Sequence, residues 1–182
     1  AGEHYVVRAK KVIVATGAKE NYMAFPGSTL PGVMGAGAAQ TMVNVNRVLP
    51  GKRVVMLGSG NVGLIVSYQL MQAGADVVAL VEAAPKIGGY AVHAGKLRRA
   101  GVPILVGHTI TRVSGDGQVE RVEIAQVDKQ FNSIPGTERV LEADTVCLGV
   151  GLNPMTELVW MAGCKFCFIP AFGGHVPMHD SN

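Results

Sequence analysis

The stretch Arg53-Val54-Val55-Met56-Leu57-Gly58-Ser59-Gly60-Asn61-Val62-Gly63-Leu64-Ile65-Val66 constrains this chain more than any other. An apolar, β-branched run breaks at a Gly-x-Gly-x-x-Gly turn and resumes with apolar residues at helical spacing. That order predicts a strand, a tight turn and a helix, the opening of a dinucleotide-binding βαβ unit. Gly58 permits the turn out of the strand. Gly60 lets backbone approach a pyrophosphate with no Cβ in the way, and Gly63 lets the helix lie close on the sheet. The helix start then offers free N–H groups and the positive end of its dipole to an anion. With 24 glycines in 182 residues, a glycine triplet alone could also be a plain αβ turn, so the residues downstream of it carry weight.

The spacing predicts a helix from Asn61 to about Ala73, closed by Gly74. Asp76 to Val81 is a second buried strand, with Glu82 at its carboxyl end. Glu82 comes about two dozen positions after Gly58, near the ~20-residue offset of the acid that holds an adenosine ribose. A carboxylate there accepts from ribose hydroxyls and repels a 2′-phosphate. Ala83, Ala84 and Pro85 supply no arginine to receive one. The pattern therefore favours NAD(H) over NADP(H); the alternative is that Glu82 is only a solvated strand end.

Composition sets the frame for the rest. Hydrophobic residues at 48% against 16% charged ones allow a substantial core, and the shortage of aromatics, 5%, suits a tightly packed parallel α/β sheet. The length fits one domain or a little more. The net charge of +3 is scattered, apart from Lys96-Leu97-Arg98-Arg99 at a helix end, and forms no nucleic-acid stripe. No apolar run is long enough to span a bilayer, and no signal-peptide pattern opens the chain. Three cysteines argue for a reducing compartment rather than a disulfide framework. A cytoplasmic protein is expected.

In chain order, Glu3 to Lys10 and Lys11 to Gly17 are predicted as strands. The stretch from Phe25-Pro26-Gly27 to Leu30-Pro31-Gly32-Val33 is turn-rich, and Gly35 to Arg47 is predicted helical. Gly88-Gly89 precedes a helix from about Tyr90 to Ala100, and Val102 to Val106 is the next strand. Thr109 to Ser114, Val119 to Asp128 and Arg139 to Glu142 are predicted antiparallel strands. Ala143 to Pro154 is a last buried strand, with a glycine exit at Gly149 and Gly151 that allows close backbone approach to a ligand. The fold class is α/β: a Rossmann-like parallel sheet with helices on both faces plus an antiparallel β-meander.

Three phrases carry a family resemblance. The apolar strand ending in Ala15-Thr16-Gly17, the Gly58 unit, and the run ending in Gly151-Leu152-Asn153-Pro154 together resemble the pyridine nucleotide–disulfide oxidoreductase-like flavoproteins. The resemblance implies an FAD domain and an NAD domain, with Ala15, Thr16 and Gly17 near the flavin nucleotide and Gly149 and Gly151 beside the second dinucleotide. It implies residues 1–17 as the end of an FAD-binding domain, 18–50 as crossover and linker helix, 51–152 as the NAD-binding domain, and 153–182 as an incomplete return segment. The cofactors expected are NAD(H) and, in a full-length protein, FAD. The partners expected are the missing FAD domain of the same chain and other subunits or an electron acceptor, with no nucleic acid. "Leu-Pro-Gly-Val…Gly-Ala-Ala-Gln-Thr" and "Gly-Gly-His-Val-Pro" look most like the amine- and opine-oxidising branch, which holds sarcosine oxidase α-type, hydrogen cyanide synthase-type and opine dehydrogenase-type subunits. The function expected is that of a fragment of an FAD-dependent oxidoreductase, inactive alone, that positions a nicotinamide against a flavin. The alternatives are a non-catalytic nucleotide-sensing or assembly module, and a dehydrogenase without flavin.

The cofactor-binding candidates are Gly58, Ser59, Gly60, Asn61, Val62, Gly63, Glu82, Gly149 and Gly151, with Ala15, Thr16 and Gly17. No catalytic residue and no metal ligand is named. Cys164-Lys165-Phe166-Cys167 is a Cys-x-x-Cys that comes after the last strand, and packed or free thiols are expected there rather than a redox pair. A metal would need His175, His179 or a partner chain. His93 and His108 are expected on the surface, and Trp160 in a core or against a missing domain.

Overall fold

The computed structural model describes residues 2–172 and 174–178; Gly173, His179 and Asp180 of the tail lie outside the described residues. The elements run in chain order as β1 (Ala18–Glu20), β2 (Val33–Gly35), α1 (Ala36–Thr41), β3 (Arg53–Leu57), α2 (Asn61–Gln72), β4 (Asp76–Glu82), α3 (Ala91–Arg99), β5 (Ile104–Val106), β6 (His108–Ser114), β7 (Arg121–Gln126), β8 (Arg139–Glu142), β9 (Thr145–Leu148), β10 (Leu152–Pro154), α4 (Glu157–Met161), β11 (Phe166–Ile169) and β12 (Gly174–Pro177). The chain divides into two compact units. One is Glu20–Gly151, and the other combines the described parts of Ala1–Lys19 and Leu152–Asn182.

The larger unit is built on a five-stranded sheet in the order β2-β9-β3-β4-β5, with every pairing parallel. Alternate residues of β3 feed two separate cores. Val54 and Met56 face α1, α2 and α3 through Ala39, Leu64, Leu70 and Leu97. Val55 and Leu57 face the antiparallel sheet β6-β7-β8 through Ile110, Val122 and Ile124. A sheet covered on both sides explains why these strands carry unbroken apolar runs rather than alternation. The sequence predicts helices on both faces; here the helices of the unit gather on one face and the meander fills the other.

The crossover segment holds more structure than its turns suggest. Val33–Gly35 pairs with Val146–Leu148 as edge strand β2, so part of the stretch predicted as linker belongs to the sheet. The helix predicted over 35–47 is shorter, with α1 passing into a π-helical turn at Met42–Asn46 and ending at Arg47 in the left-handed region. At the amino ends of the strands, the Asp144 carboxylate accepts from the N–H groups of Lys52 and Arg53 at 3.0–3.1 Å. That ties the start of β3 to β9. At the boundary of the unit, the Asn21 N–H donates to the Gly151 carbonyl at 2.9 Å.

The α2 helix ends as its sequence requires. Gly74 takes φ +100°, its N–H donates to Met71 O, and the N–H of Ala75 donates to Leu70 O, each at 3.0 Å. This is the paired 5→2 and 6→1 bonding of a Schellman cap, which needs a residue free to take positive φ. Gly101 closes α3 with the same pair of bonds, to Arg98 and Leu97. On the buried side of α2, Ser67 is fully buried and its hydroxyl has no hydrogen-bond partner. An unpaired hydroxyl in a dry core is a net cost.

In the smaller unit β1 pairs with β10, and β11 with β12 in an antiparallel hairpin that sets Cys167 opposite Val176 and Phe168 opposite His175. Thr16 Oγ1 donates to Met155 O at 2.7 Å, and Met155 N–H to Gly17 O at 2.9 Å. Lys19 and Glu157 form an exposed ion pair at 3.3 Å. Trp160 is half exposed and stacks on Phe166 with ring centroids 4.2 Å apart. The strands predicted for Glu3–Lys10 and Lys11–Gly17 do not form; Val6 and Ile13 are more than nine-tenths exposed. An isolated extended segment gains nothing from its β-propensity without a ladder to join, and the described residues give it none.

Two measurements test the core. Ser67→Ala should leave the unfolding free energy unchanged or raise it by about 1 kcal/mol, read by denaturant titration, because it removes a buried orphan hydroxyl and improves helix propensity. Burial, with the Glu20 carboxylate as a second cause, pushes the Cys147 thiol from 9.0 up to about 12. The folded chain thus holds a proton that the unfolded chain loses, and Cys147 withdraws stability as pH rises from about 9 to 12. At pH 8 a thiol reagent should modify the exposed Cys164 and Cys167 in the native protein and reach Cys147 only after denaturation.

Candidate functional site

The site sits where the sheet changes direction. From β3 the chain proceeds outward through β4 to β5, then returns to place β9 on the other side of β3. The crevice outside the carboxyl ends of β3 and β9 is the switch point at which open α/β sheets take ligands. A cavity of about 390 Å³ lies there, walled by Gly58, Ser59 and Gly60 after β3, Glu82 after β4, and Gly149 and Gly151 after β9. Six of the sequence candidates are thus brought together.

Each glycine in the loop has its own physical reason. Gly58 holds φ +102°, and a Cβ on it would strike the Gly149 carbonyl. A Cβ on Gly63 would strike the Gly58 carbonyl, so that position is glycine because the helix rests on the turn. A Cβ on Gly149 would lie 3.3 Å from Gly63 Cα. The three backbones are packed against one another. Gly60 differs: its φ is −63°, and a Cβ there would meet nothing within 4 Å. Nothing in the protein requires glycine at 60, and the vacant direction fits a backbone cradle for a group that comes closer than a side chain would allow.

Glu82 is anchored rather than solvated. Its Oε2 accepts from the Ser59 N–H at 2.8 Å and from the Ser59 hydroxyl at 2.6 Å, and its Oε1 accepts from the Ala84 N–H at 2.7 Å. The segment after it folds back over the loop. Gly88 N–H donates to Ser59 Oγ at 3.0 Å, Gly89 N–H to Ser59 O at 2.8 Å, and Tyr90 N–H to Asn61 Oδ1 at 2.9 Å. Asn61 is therefore occupied in starting α3, and Val62 packs at the edge of the helical core. Neither these two nor Gly63 lines the cavity.

Ala15, Thr16 and Gly17 belong to the smaller unit, with the hydrogen bonds already described. Met23 and Thr109 line the cavity without any sequence signal. Met23 stands in the crossover segment just before the turn-rich stretch and Thr109 in the meander, and only the tertiary fold delivers them. Cys164 and Cys167 are free and exposed, and no group of three or more metal-ligating side chains occurs among the described residues. His108 opens β6, with Nδ1 2.8 Å from Val106 O. No helix among the described residues is long and apolar enough to cross a membrane.

The glycine geometry separates two substitutions that look alike in sequence. Gly58→Ala should destabilise the protein by several kcal/mol, roughly the sum of positive-φ strain and a backbone clash. Gly60→Ala should leave the melting temperature within a degree or two while weakening whatever the loop cradles. Thermal denaturation beside a ligand titration checks both.

Comparison with known proteins agrees with this architecture. The family model for pyridine nucleotide-disulphide oxidoreductases matches residues 1–167. The HcnB chain of hydrogen cyanide synthase from Pseudomonas aeruginosa is 30% identical, aligned over 89% of this chain and 38% of its own length. The opine oxidase subunit of Agrobacterium tumefaciens is 30% identical over 91% of this chain and 35% of its own. The chain thus spans under two-fifths of these relatives. The thioredoxin reductase of T. acidophilum shares the fold, with a TM-score of 0.66 and 24% identity over 84% of this chain and 47% of that one. The amine- and opine-oxidising branch expected from the sequence is where these relatives fall. The chain belongs to the pyridine nucleotide-disulphide oxidoreductase family, whose members bind FAD and NAD(P), and it carries a Rossmann-like nucleotide-binding domain of that family.

Proposed function

We propose that Glu20–Gly151 is the NAD(H)-binding domain of an FAD-dependent oxidoreductase, and that it positions a nicotinamide for hydride transfer with a flavin held by another part of the full protein. One observation carries this reading: a fixed carboxylate, Glu82, and an unobstructed glycine, Gly60, face the same cavity at the switch point of the sheet. When bound, the nicotinamide supplies or accepts the hydride. The chain's own work is binding and orientation.

Gly60 and the start of α2 receive a pyrophosphate, where the absence of a Cβ and the helix dipole both favour an anion. Glu82 takes the adenosine ribose. A carboxylate offers roughly four acceptor positions, and three are used by Ser59 and Ala84. One remains, on Oε1, to accept from a ribose hydroxyl. The same charge disfavours a 2′-phosphate. Gly149, Val150 and Gly151 form the opposite wall, where bare backbone allows close approach of the second nucleotide half. For the flavin, Ala15, Thr16 and Gly17 are assigned by family resemblance alone. Relatives named as subunits of hydrogen cyanide synthase and of opine oxidase support an oxidase assembled from several chains, with an amine-type substrate.

Calorimetric titration with NADH and, separately, NADPH tests the proposal. NADH should bind more tightly, and Glu82→Ala should weaken NADH binding by roughly 1–3 kcal/mol, the scale of a lost charge-assisted hydrogen bond. Equal affinity for the two cofactors would remove Glu82 as the selector. Binding of neither cofactor would overturn the assignment of the cavity.

A further inference from the structure

We infer that Ser59, which occupies a variable position of the glycine motif, sets cofactor preference not by a hydrogen bond of its own to the cofactor but by fixing the carboxylate of Glu82. The inference rests on the reading of this cavity as an NAD(H) site. Ser59 is fully buried, yet every polar atom it has is used. Its N–H and its hydroxyl both donate to the same oxygen, Glu82 Oε2. Its hydroxyl oxygen accepts from Gly88 N–H and its carbonyl from Gly89 N–H.

This arrangement has a directional consequence. A glutamate at a strand end has three rotatable side-chain torsions, and an unanchored one would spread its charge over several positions. Two donors from one residue on Oε2, and Ala84 N–H on Oε1, leave a single rotamer. The remaining acceptor position on Oε1 is then fixed relative to the loop that cradles the phosphates. The hydroxyl proton is committed as well: because Ser59 Oγ accepts from Gly88, its own hydrogen is free to point at Glu82. The segment behind Glu82 is thereby locked to the same side chain. It lies so close that a Cβ on Gly89 would stand 2.9 Å from the Asn61 nitrogen and Oδ1. Removing the hydroxyl takes one of three donors from Glu82 and the acceptor of Gly88 N–H from the 86–89 segment, so the carboxylate is held less tightly, while the backbone bonds of Ser59, the glycine loop and its pyrophosphate cradle stay in place.

A merely structural serine would, when altered, weaken NADH and NADPH together. A positioning serine changes their ratio. The experiment is a double-mutant cycle on the intact protein, with Ser59→Ala, Glu82→Ala and the pair, each titrated with NADH and NADPH and each melted to confirm folding. Ser59→Gly is carried in parallel as a second removal of the hydroxyl with no added bulk. The expected result is that Ser59→Ala and Ser59→Gly each narrow the preference for NADH by about tenfold, the cost of one charge-assisted bond. In the Glu82→Ala background the same substitution should change the ratio less than twofold. An unchanged ratio in Ser59→Ala and Ser59→Gly, with a changed one in Glu82→Ala, would overturn the role of Ser59 and leave the NAD(H) site intact. Equal, additive losses in both backgrounds would also overturn it. No change of ratio in Glu82→Ala itself would also overturn it, because Glu82 would then not be the selector, whereas binding of neither cofactor to the unaltered protein would instead bring down the underlying NAD(H) assignment.

Discussion

The larger unit depends on one contact made almost without side chains. The backbones approach so closely that a Cβ on Gly63 would strike the carbonyl of Gly58, and a Cβ on Gly58 the carbonyl of Gly149. Strand, turn, helix and the neighbouring strand are thus pressed together at backbone distance. Only this approach draws α2 far enough down that its first turn opens on the crevice between β3 and β9. The cores on either side, one of helices and one of β-strands, fill the sheet's two faces but do not by themselves decide where the helix begins. Dispersion between closely packed backbones is weak atom by atom and substantial in sum, and any side chain at these positions would forfeit it.

What the sequence discloses of this arrangement is what is written locally. The β3–α2–β4 unit and its glycine cap follow from hydrophobic spacing and from residues whose conformational freedom has a known use. So does the carboxylate at the end of β4, whose position is legible at a distance from the loop it serves. What stays hidden is what tertiary partners impose. Val33 ends a turn-rich stretch and Gly35 opens an expected helix, yet Val33–Gly35 becomes strand because β9 offers a free edge. Glu3–Lys10 looks like strand and remains unpaired. Helices are expected on both faces of the sheet beside a meander, yet the meander takes one face by itself.

The candidate site divides in the same way. Gly58, Gly60, Glu82, Gly149 and Gly151 are found from pattern and resemblance, and all reach one cavity. Asn61 and Val62 come from the same pattern and lie off that cavity: Asn61 Oδ1 accepts from Tyr90 N–H at the start of α3, and Val62 packs against the helical core. The motif marks a stretch of backbone, and side chains carried on that stretch are free to face elsewhere. Met23 and Thr109 lie outside every local pattern, as residues contributed by a crossing loop and a crossing strand must. The bonds between Ser59 and Glu82 span 23 positions, and no periodicity predicts which rotamer a strand-end carboxylate will choose.

The hydrogen bond between Asn21 and Gly151 has a consequence for how such a chain comes into being. The larger unit is one uninterrupted stretch whose two ends meet, whereas the smaller is assembled from segments that lie on either side of it in sequence. It is topologically an insertion. A ribosome delivering the chain from its amino end completes everything the larger unit needs before it has synthesised β10, the strand that β1 awaits. The larger unit therefore has all its residues before the smaller can close, and its joined ends leave little chain entropy to lose at the seam.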